Sequence, residues 1–333
     1  MTDKSKAIAV ALLSGGLDST LAAKVILEQG ITVIGVNFAG AYCPRPFTGQ
    51  SRAERAAEKL GIEIVTLPIE ADFIAMVKRP KHGRGKNMNP CIDCHTLMIR
   101  KASVFGQTRG VDFIITGEVL GQRPMSQNRQ ALGVVARESG VGDRLLRPMS
   151  AKLLDVTAPE REGLVDRERL LDVEGRQRTR QMALAEKYGI RDYPTPAGGC
   201  LLTEKIYSKR LAEAFDHGED SLEIVELLSL GRHFRLPSGA RLVVGRDEPE
   251  NDELLRRKPA GAVVIDAGDL PGPVGLLLPT GGSGADSDRI LAARICARYS
   301  DKRKEKFARV VIAGEAADVE PASEEESARL LIA

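Results

Sequence analysis

The stretch that decides the fold is Ala7-Ile8-Ala9-Val10-Ala11-Leu12-Leu13-Ser14-Gly15-Gly16-Leu17-Asp18-Ser19-Thr20, followed by the apolar run 21–27. The run 7–12 predicts a buried parallel strand, and the residues after the glycines predict a helix. A Gly-Gly turn lets the backbone close on a ligand, and the N–H groups at a helix start attract anions. The two serines add hydroxyl donors, and Asp18 can hold the Mg²⁺ that accompanies a nucleotide. The stretch predicts a phosphate site, although Ser and Asp also occur as plain helix caps.

Strand and helix patterns alternate downstream of this loop. Further strands are predicted at 31–38, 62–67 and 112–116, with a helix at 51–60, and segment 144–149 is expected to close the sheet. This alternation is typical of a parallel α/β sheet, whose ligands bind beyond the carboxyl ends of the strands. Gly117 follows a strand at that edge and can approach a nucleotide, and Arg123 could pair with a phosphate.

Cysteines form the second chemical pattern. Cys91 and Cys94 have the Cys-x-x-Cys spacing that suits one metal or cluster, and Cys200 lies on a Pro/Gly-punctuated loop. Three interpretations stay open: a redox dithiol, a structural zinc site completed by Cys200 with His95 or Cys43, and a 4Fe-4S cluster held by Cys91, Cys94 and Cys200. His95 is expected to orient the site rather than bind metal.

Composition indicates a cytosolic protein. The net charge is +2, no charged-then-apolar signal segment precedes the first strand, and no apolar run is long enough to cross a membrane. In the cytosol the five cysteines are not expected to form disulfides. Cys296 lies in an apolar helical run and is expected to be a core residue. Cys43 is either a surface thiol or an auxiliary ligand.

The chain is predicted to contain three regions: a nucleotide-binding domain at 1–150, a helical connector carrying Cys200 at 151–220, and a smaller α+β domain at 221–333. A helix from about 96 to 109 follows the Cys-x-x-Cys pair, and the charged run 159–180 has a helical composition. The basic, glycine-rich loop 78–89 is interpreted either as a solvated loop or as a contact for an RNA backbone.

The string Ser14-Gly15-Gly16-Leu17-Asp18-Ser19 is neither a Walker loop nor a dinucleotide-binding Gly-x-Gly-x-x-Gly. It resembles the PP-loop of the ATP pyrophosphatases, which cleave ATP between its α- and β-phosphates to adenylate a carbonyl oxygen. The resemblance implies a Rossmann-like domain of the adenine nucleotide α-hydrolase type. It also implies that these glycines and serines grip the pyrophosphate of ATP.

Asn89-Pro90-x-x-x-Cys94 near this loop, with a distant Gly-Gly-Cys200, is similar to the tRNA thiouridylases, which include 2-thiouridylases and 4-thiouridine synthases. The resemblance implies ATP-dependent thiolation of a tRNA uridine, with Asp18, Cys94 and Cys200 as catalytic residues. Some members of the wider group bind a 4Fe-4S cluster through three cysteines, which implies Cys91, Cys94 and Cys200 here. Without a cluster, Cys94 or Cys200 would carry a persulfide that the other resolves.

Neither a THUMP-type RNA module nor a rhodanese-like carrier is recognisable, so sulfur is expected from a partner cysteine desulfurase or from free sulfide. The phrase Val243-Val244-Gly245-Arg246-Asp247 resembles the NFACT-R type of RNA-associated domain. Two alternative functions remain. One is a PP-loop enzyme that amidates or ligates and uses zinc structurally. The other is a non-catalytic RNA-binding protein with a structural zinc, in which the glycine turn is only a helix cap.

Overall fold

The computed structural model describes residues 7–40, 49–193, 200–268, 271–278 and 285–332. The chain divides into two compact units, Met1–Cys200 and Leu201–Ala333. The stretch 151–220, predicted as a separate connector, is therefore shared between them, with 151–200 in the first unit and 201–220 in the second. Within the described residues, no helix has the length and apolar character needed to cross a membrane.

The first unit is a parallel α/β domain. Its strands are β1 Ile8–Leu12, β2 Thr32–Ala39, β3 Ile64–Pro68, β4 Phe113–Ile115 and β5 Leu145–Leu146. Its helices are α1 Leu17–Leu27, α2 Arg52–Leu60, α3 Glu70–Lys78, α4 Cys91–Gln107, α5 Arg129–Glu138, α6 Ala158–Arg161 and α7 Thr179–Lys187. The strand order among the described residues is β3-β2-β1-β4-β5, and every neighbouring pair is parallel. The Rossmann-like sheet is therefore confirmed.

The sheet is buried on both faces, which explains the continuous apolar character of β1. Successive side chains of a strand point to opposite faces. Ala9 packs in the same cluster as Ile26 of α1, whereas Val10 packs in another cluster with Ile99 of α4 and Val135 of α5. Strand β1 pairs with β2 on one side and with β4 on the other. The loop that follows β1 therefore starts in the middle of the sheet.

Two predicted helices differ from the structure. Helix α4 begins at Cys91 rather than near residue 96, so both cysteines of the Cys-x-x-Cys pair lie in its first turn. The charged run 159–180 is mostly not α-helical: it contains most of the short α6, a 3-10 turn at Arg167–Arg169 and the start of α7. Its middle follows the chain at 148–152 instead: the Leu171 N–H donates to the Pro148 carbonyl, and the Val173 N–H donates to the Met149 carbonyl. Tertiary backbone pairing therefore overrides the local helical composition.

The second unit is an α+β domain. Its helices are α8 Lys205–Asp216, α9 Leu222–Leu227, α10 Glu248–Arg256, α11 Ala285–Arg298 and α12 Glu324–Leu330. Its strands are β6 Arg232–Arg235, β7 Arg241–Val244, β8 Val263–Asp266, β9 Gly275–Leu277, β10 Ala308–Ile312, β11 Glu315–Val319 and β12 Leu331–Ile332. In the described part of this unit they form an antiparallel sheet in the order β11-β10-β8-β9-β7-β6-β12. The predicted α+β class is confirmed.

A buried ion network joins α8 to this sheet. Arg241 of β7 is fully buried, and its Nε donates to Glu219 Oε2 at 2.6 Å. Arg235 of β6 donates from Nε to Glu213 Oε1, also at 2.6 Å. Although burial opposes ionisation of Glu213 and Glu219, the hydrogen bonds and charges of the two arginines lower the pKa of both carboxyls. The network explains why α8 belongs to the second unit.

Candidate active site

The glycine loop between β1 and α1 presents an open helix start. Gly15 has φ +71°, and a Cβ there would lie 2.4 Å from the Arg52 carbonyl carbon. Gly16 is the N-cap of α1, and no side chain caps the helix. The Ser14 and Ser19 hydroxyls lie 3.1 Å apart, and Ser19 Oγ donates to the Gly16 carbonyl at 3.0 Å. Uncapped N–H groups beside two hydroxyls are the arrangement that an anion site requires, and the phosphate role of this loop stays a prediction.

Asp18, in the first turn of α1, is held by two residues from other segments. Its Oδ2 accepts from Gln122 Nε2 at 2.8 Å and from an Arg178 guanidinium nitrogen at 3.0 Å. Its Oδ1 is buried and, among the described residues, has no hydrogen-bond partner. A carboxylate oxygen left uncommitted beside a phosphate site fits Mg²⁺, which prefers oxygen ligands shared with substrate phosphates.

The turn after β4 lies against this loop. A Cβ on Gly117 would lie 2.4 Å from the Ser19 backbone nitrogen, so only glycine allows this approach. Arg123, which sequence analysis selected for a phosphate, has an exposed side chain, and its carbonyl accepts from the Gln127 N–H at 2.8 Å. The residue of this turn that contacts Asp18 is Gln122. The nucleotide roles of Gly117 and Arg123 stay predictions.

Glu118, next to Gly117, is the centre of a buried polar network. The carboxylate is 3% exposed and accepts from Arg147 Nε at 2.8 Å and from the Thr116 hydroxyl at 3.0 Å. It also lies 2.7 Å from His95 Nδ1. Burial alone would raise the pKa of Glu118, but the charge of Arg147 and the hydrogen bonds from His95 and Arg147 hold it well below its usual value. Glu118 is therefore an ionised residue that fixes the His95 ring, and the orienting role expected for His95 itself stays a prediction.

The cysteine pair lies at the start of α4. The Cys91 Sγ donates to Asn89 Oδ1 at 3.1 Å, and the Cys94 N–H donates to the Pro90 carbonyl at 2.9 Å. Cys91, Cys94 and Cys200 are of intermediate exposure. Within the described ranges, no three His, Cys, Asp or Glu side chains are grouped so that they could hold a metal ion. The three-cysteine metal site therefore stays a prediction.

The two remaining cysteines are Cys296 and Cys43. Cys296 is 2% exposed within the core of the second unit, and burial raises its pKa to about 12. The expectation that Cys296 is a core residue is confirmed. Cys43 lies outside the described residues, as does the Pro/Gly-rich segment 194–199 before Cys200.

The basic loop 78–89 is partly tied to the domain. Lys81 pairs with Glu138 at 2.8 Å, and the Arg84 guanidinium donates to the Val77 carbonyl at 2.9 Å. His82 Nδ1 lies 3.0 Å from an Asp93 oxygen, which joins the loop to the turn of α4 that carries the cysteines. Lys86 is exposed. The loop is therefore anchored at several points and not simply solvated.

Four residues of this site are not predicted from the sequence: Gln122, Arg178, Glu118 and Arg147. Gln122 and Glu118 were within the glycine turn already identified, so their placement at a strand end was an available signal. Arg178 lies in a basic run that gave no indication of its partner, 160 positions away. For Arg147 the only indication in the sequence was its position directly after the strand predicted to close the first sheet, β5.

Comparison with known proteins finds a family model that matches a segment of each unit. Residues 4–152 match the family described as "Thiamine biosynthesis protein (ThiI)", and residues 231–329 match the "NFACT protein RNA binding domain". A tRNA-specific 2-thiouridylase MnmA of Methylobacterium nodulans is 26% identical over 278 residues, covering 74% of this chain and 69% of the relative. The MnmA of Symbiobacterium thermophilum is 27% identical over 226 residues, covering 60% of this chain and 54% of the relative.

Among solved structures, a 4-thiouridine synthetase in complex with RNA and ATP is 19% identical with a TM-score of 0.39, covering 66% of this chain and 52% of that chain. The chain spans about half the length of that protein and of the Symbiobacterium relative. The two family matches cover separate segments, one in each compact unit. The first unit therefore carries a segment similar to the ThiI family model, and the second unit carries one similar to the NFACT RNA-binding domain model.

Proposed function

We propose that this protein is an ATP-dependent tRNA thiolase. One observation carries the proposal: two adjacent residues connect the glycine loop to α4, the helix whose first turn carries Cys91 and Cys94. Gly117 lies against Ser19 of the loop, and Glu118 binds His95, the residue after Cys94. An enzyme that activates a uridine with ATP and then delivers sulfur to the same carbon needs these two chemistries side by side. The MnmA and ThiI matches support the same function.

In the first step the uridine carbonyl oxygen attacks the α-phosphorus of ATP, a P–O bond forms, and pyrophosphate leaves. The uncapped N–H groups of α1 and the hydroxyls of Ser14 and Ser19 would bind the departing pyrophosphate, with the close backbone approach that Gly15 and Gly16 allow. Asp18, through its uncommitted Oδ1, would hold Mg²⁺. Bound Mg²⁺ supplies neutralisation of the charge on the phosphates.

In the second step sulfur replaces the activated oxygen. A persulfide on Cys94 or Cys200 attacks the uridine carbon through its terminal sulfur, the new C–S bond forms, and AMP leaves with the former carbonyl oxygen. The other cysteine then attacks the inner sulfur, so that the transferred sulfur is reduced and the two cysteines are oxidised to a disulfide. A dithiol reductant restores the two thiols, and a cysteine desulfurase then reloads one of them by transferring the outer sulfur of its own persulfide. Free sulfide instead attacks the disulfide itself, which yields one persulfide and one thiol with no further oxidant.

His95 is proposed as a positioning and proton-handling residue of this step. Glu118 lies at His95 Nδ1 and so fixes the ring and leaves Nε2 as the other proton-exchanging atom. Since His95 is next to Cys94 and about one quarter exposed, its ring can reach a ligand in the open part of the site.

A 4Fe-4S cluster on Cys91, Cys94 and Cys200 is the proposed cofactor, with Zn²⁺ as the alternative. The described side chains do not gather into a three-ligand group. For that reason sulfur transfer through the thiols of Cys94 and Cys200 is proposed for the protein without a cluster. Three protein thiolates suit an iron–sulfur cluster or a zinc ion. The iron and zinc contents of the purified protein distinguish these two cofactors.

The second unit is proposed to hold the tRNA in the cytoplasm. The match to the NFACT RNA-binding domain supports this role, as do the exposed side chains of Arg303 and Lys304, close in sequence to the exposed ring of Phe307. Cationic side chains bind the phosphate backbone, and exposed aromatic rings stack on unpaired bases.

The Asp18→Ala variant tests the catalytic assignment. It is expected to abolish tRNA-dependent AMP release while leaving tRNA binding unchanged, because Asp18 lies in the first unit and RNA binding is assigned to the second. Asp72→Ala is the matched control, since Asp72 is 59% exposed and pairs only at the surface with Lys101. Normal AMP release by Asp18→Ala would remove Asp18 from the catalytic site. AMP release without a thiolated product would favour an amidating or ligating PP-loop enzyme, and no ATP turnover by the wild type would favour a non-catalytic RNA-binding protein.

A further inference from the structure

Arg178 reaches the nucleotide site from outside the segment that matches the ThiI family. It is the N-cap of α7, and its guanidinium lies 3.0 Å from Asp18 Oδ2. The side chain of Arg178 is 17% exposed and that of Asp18 is 12% exposed, so the ion pair is largely shielded from water. The ThiI match ends at residue 152. A cation from another segment therefore lies within the first turn of the helix that follows the glycine loop.

The pair belongs to a polar cluster with unused acceptors. Gln122 donates to Asp18 and lies 3.5 Å from Gln181 Nε2, and Gln181 is fully buried. In the part of the chain that the structure describes, Asp18 Oδ1 and Gln181 Oε1 are buried without a hydrogen-bond partner. Buried polar atoms are normally satisfied, so two unpaired oxygens beside an uncapped helix start indicate that the cluster is completed by a ligand.

Charge balance indicates what Arg178 does when that ligand binds. A bare carboxylate at a phosphate site repels a polyanion, and Arg178 neutralises it while the site is free of nucleotide. When Mg²⁺ accompanies the phosphates, it would neutralise the Asp18 carboxylate in place of the guanidinium, and Arg178 would be available for another anion. The planar guanidinium fork matches phosphate oxygens and forms two parallel hydrogen bonds with them.

We propose that Arg178 is a phosphate-binding residue of the nucleotide site, paired with Asp18 in the free protein and bound to the pyrophosphate part of ATP in the complex. This inference rests on the proposed function, because it takes ATP as the ligand of the glycine loop. It adds a residue of the segment after the matched PP-loop domain to the machinery that releases pyrophosphate.

Calorimetric titration with magnesium pyrophosphate, and separately with magnesium ATP, tests the inference without turnover. Arg178→Gln is expected to bind both probes about 10- to 100-fold more weakly than the wild type, the loss typical of a hydrogen bond to a charged group. Arg178→Lys keeps the positive charge but loses the planar guanidinium fork. Its affinity for both probes is expected to lie between those of the wild type and Arg178→Gln. Arg180→Gln is the matched control, because Arg180 is also on α7 but is 55% exposed and pairs with Asp172. The control is expected to bind like the wild type.

A second readout separates ligand binding from a structural role. Saturating magnesium pyrophosphate is expected to raise the melting temperature of the wild type more than that of Arg178→Gln or Arg178→Lys, since stabilisation by a ligand follows its affinity. A lower melting temperature of Arg178→Gln with unchanged affinity for both probes would overturn the inference and leave the proposed function intact. A wild-type protein that binds neither probe would instead remove the proposed function, and the inference with it.

Discussion

Gly117 gives the sharpest prediction about how the proposed nucleotide site is built. Replacing it by alanine adds a Cβ that would lie 2.4 Å from the Ser19 nitrogen and 2.6 Å from the Ser19 Cα. Both atoms are backbone, so no flexible side chain can move aside. Ordinary contact begins at 3.4 Å, and the start of α1 must therefore retreat from the turn after β4 by about 1 Å.

The size of the effect follows from that displacement. Overpacking of this kind costs about 1–3 kcal/mol of unfolding free energy. A displacement of about 1 Å in a site that positions reacting groups costs about 100-fold in rate. Gly117→Ala is therefore expected to lower both the free energy of unfolding and the rate of tRNA-dependent AMP release.

The same substitution at Gly133 is the matched control. Gly133 lies in α5, where a Cβ would meet no atom within 4 Å, and alanine is the better helix former by about 0.5–1 kcal/mol. Urea unfolding and AMP release are measured for both variants. A Gly117→Ala protein as stable and as active as Gly133→Ala would refute the close packing of this turn on the phosphate loop.

Three further predictions follow from other parts of the molecule. Glu118→Gln breaks a buried ion pair with Arg147 and is expected to cost about 3–5 kcal/mol in urea unfolding at pH 7. Since the pKa of Glu118 is lower in the folded state, that difference from the wild type should shrink as the pH falls below about 4, and a growing difference would contradict the assignment. Gly275→Ala would place a Cβ 2.4 Å from the Cys296 Sγ and should destabilise the second unit by about 1–3 kcal/mol, but much less in a Cys296→Ala background; equal costs in both backgrounds would exclude that contact. Protein purified without oxygen should be brown from an iron–sulfur cluster, whereas a colourless, zinc-replete and fully active protein would exclude the cluster.

The sequence predicts the nucleotide loop because its signals are local. The apolar strand, the two glycines and the helix are contiguous, and the buried β1 next to α1 has the expected form. Local signals fail at Pro90, which is the N-cap of α4 where a Ser or Asp would have been recognised. They fail again in 159–180, where ion pairs such as Arg167 with Glu160 and backbone pairing to 148–152 replace the predicted helix.

The rest of the site depends on strand order, which a single sequence does not display. Glu118 meets His95 because β4 lies beside β1 in the middle of the sheet and α4 packs on that face. Arg178 contacts Asp18 because the segment that follows the last strand of the first sheet runs back to the start of α1. A PP-loop and a Cys-x-x-Cys pair can be recognised in the sequence, whereas the contacts that connect them are products of the fold.

The central claim is thiolation of tRNA, and nucleoside analysis of total tRNA tests it most directly. Cells lacking this protein are expected to lose one thiolated uridine, and the wild-type gene is expected to restore it. Genes encoding Asp18→Ala or Cys94→Ser are expected not to restore it, although both variants should accumulate as folded proteins. An unchanged content of every thiolated uridine in the deletion strain would contradict the proposed function.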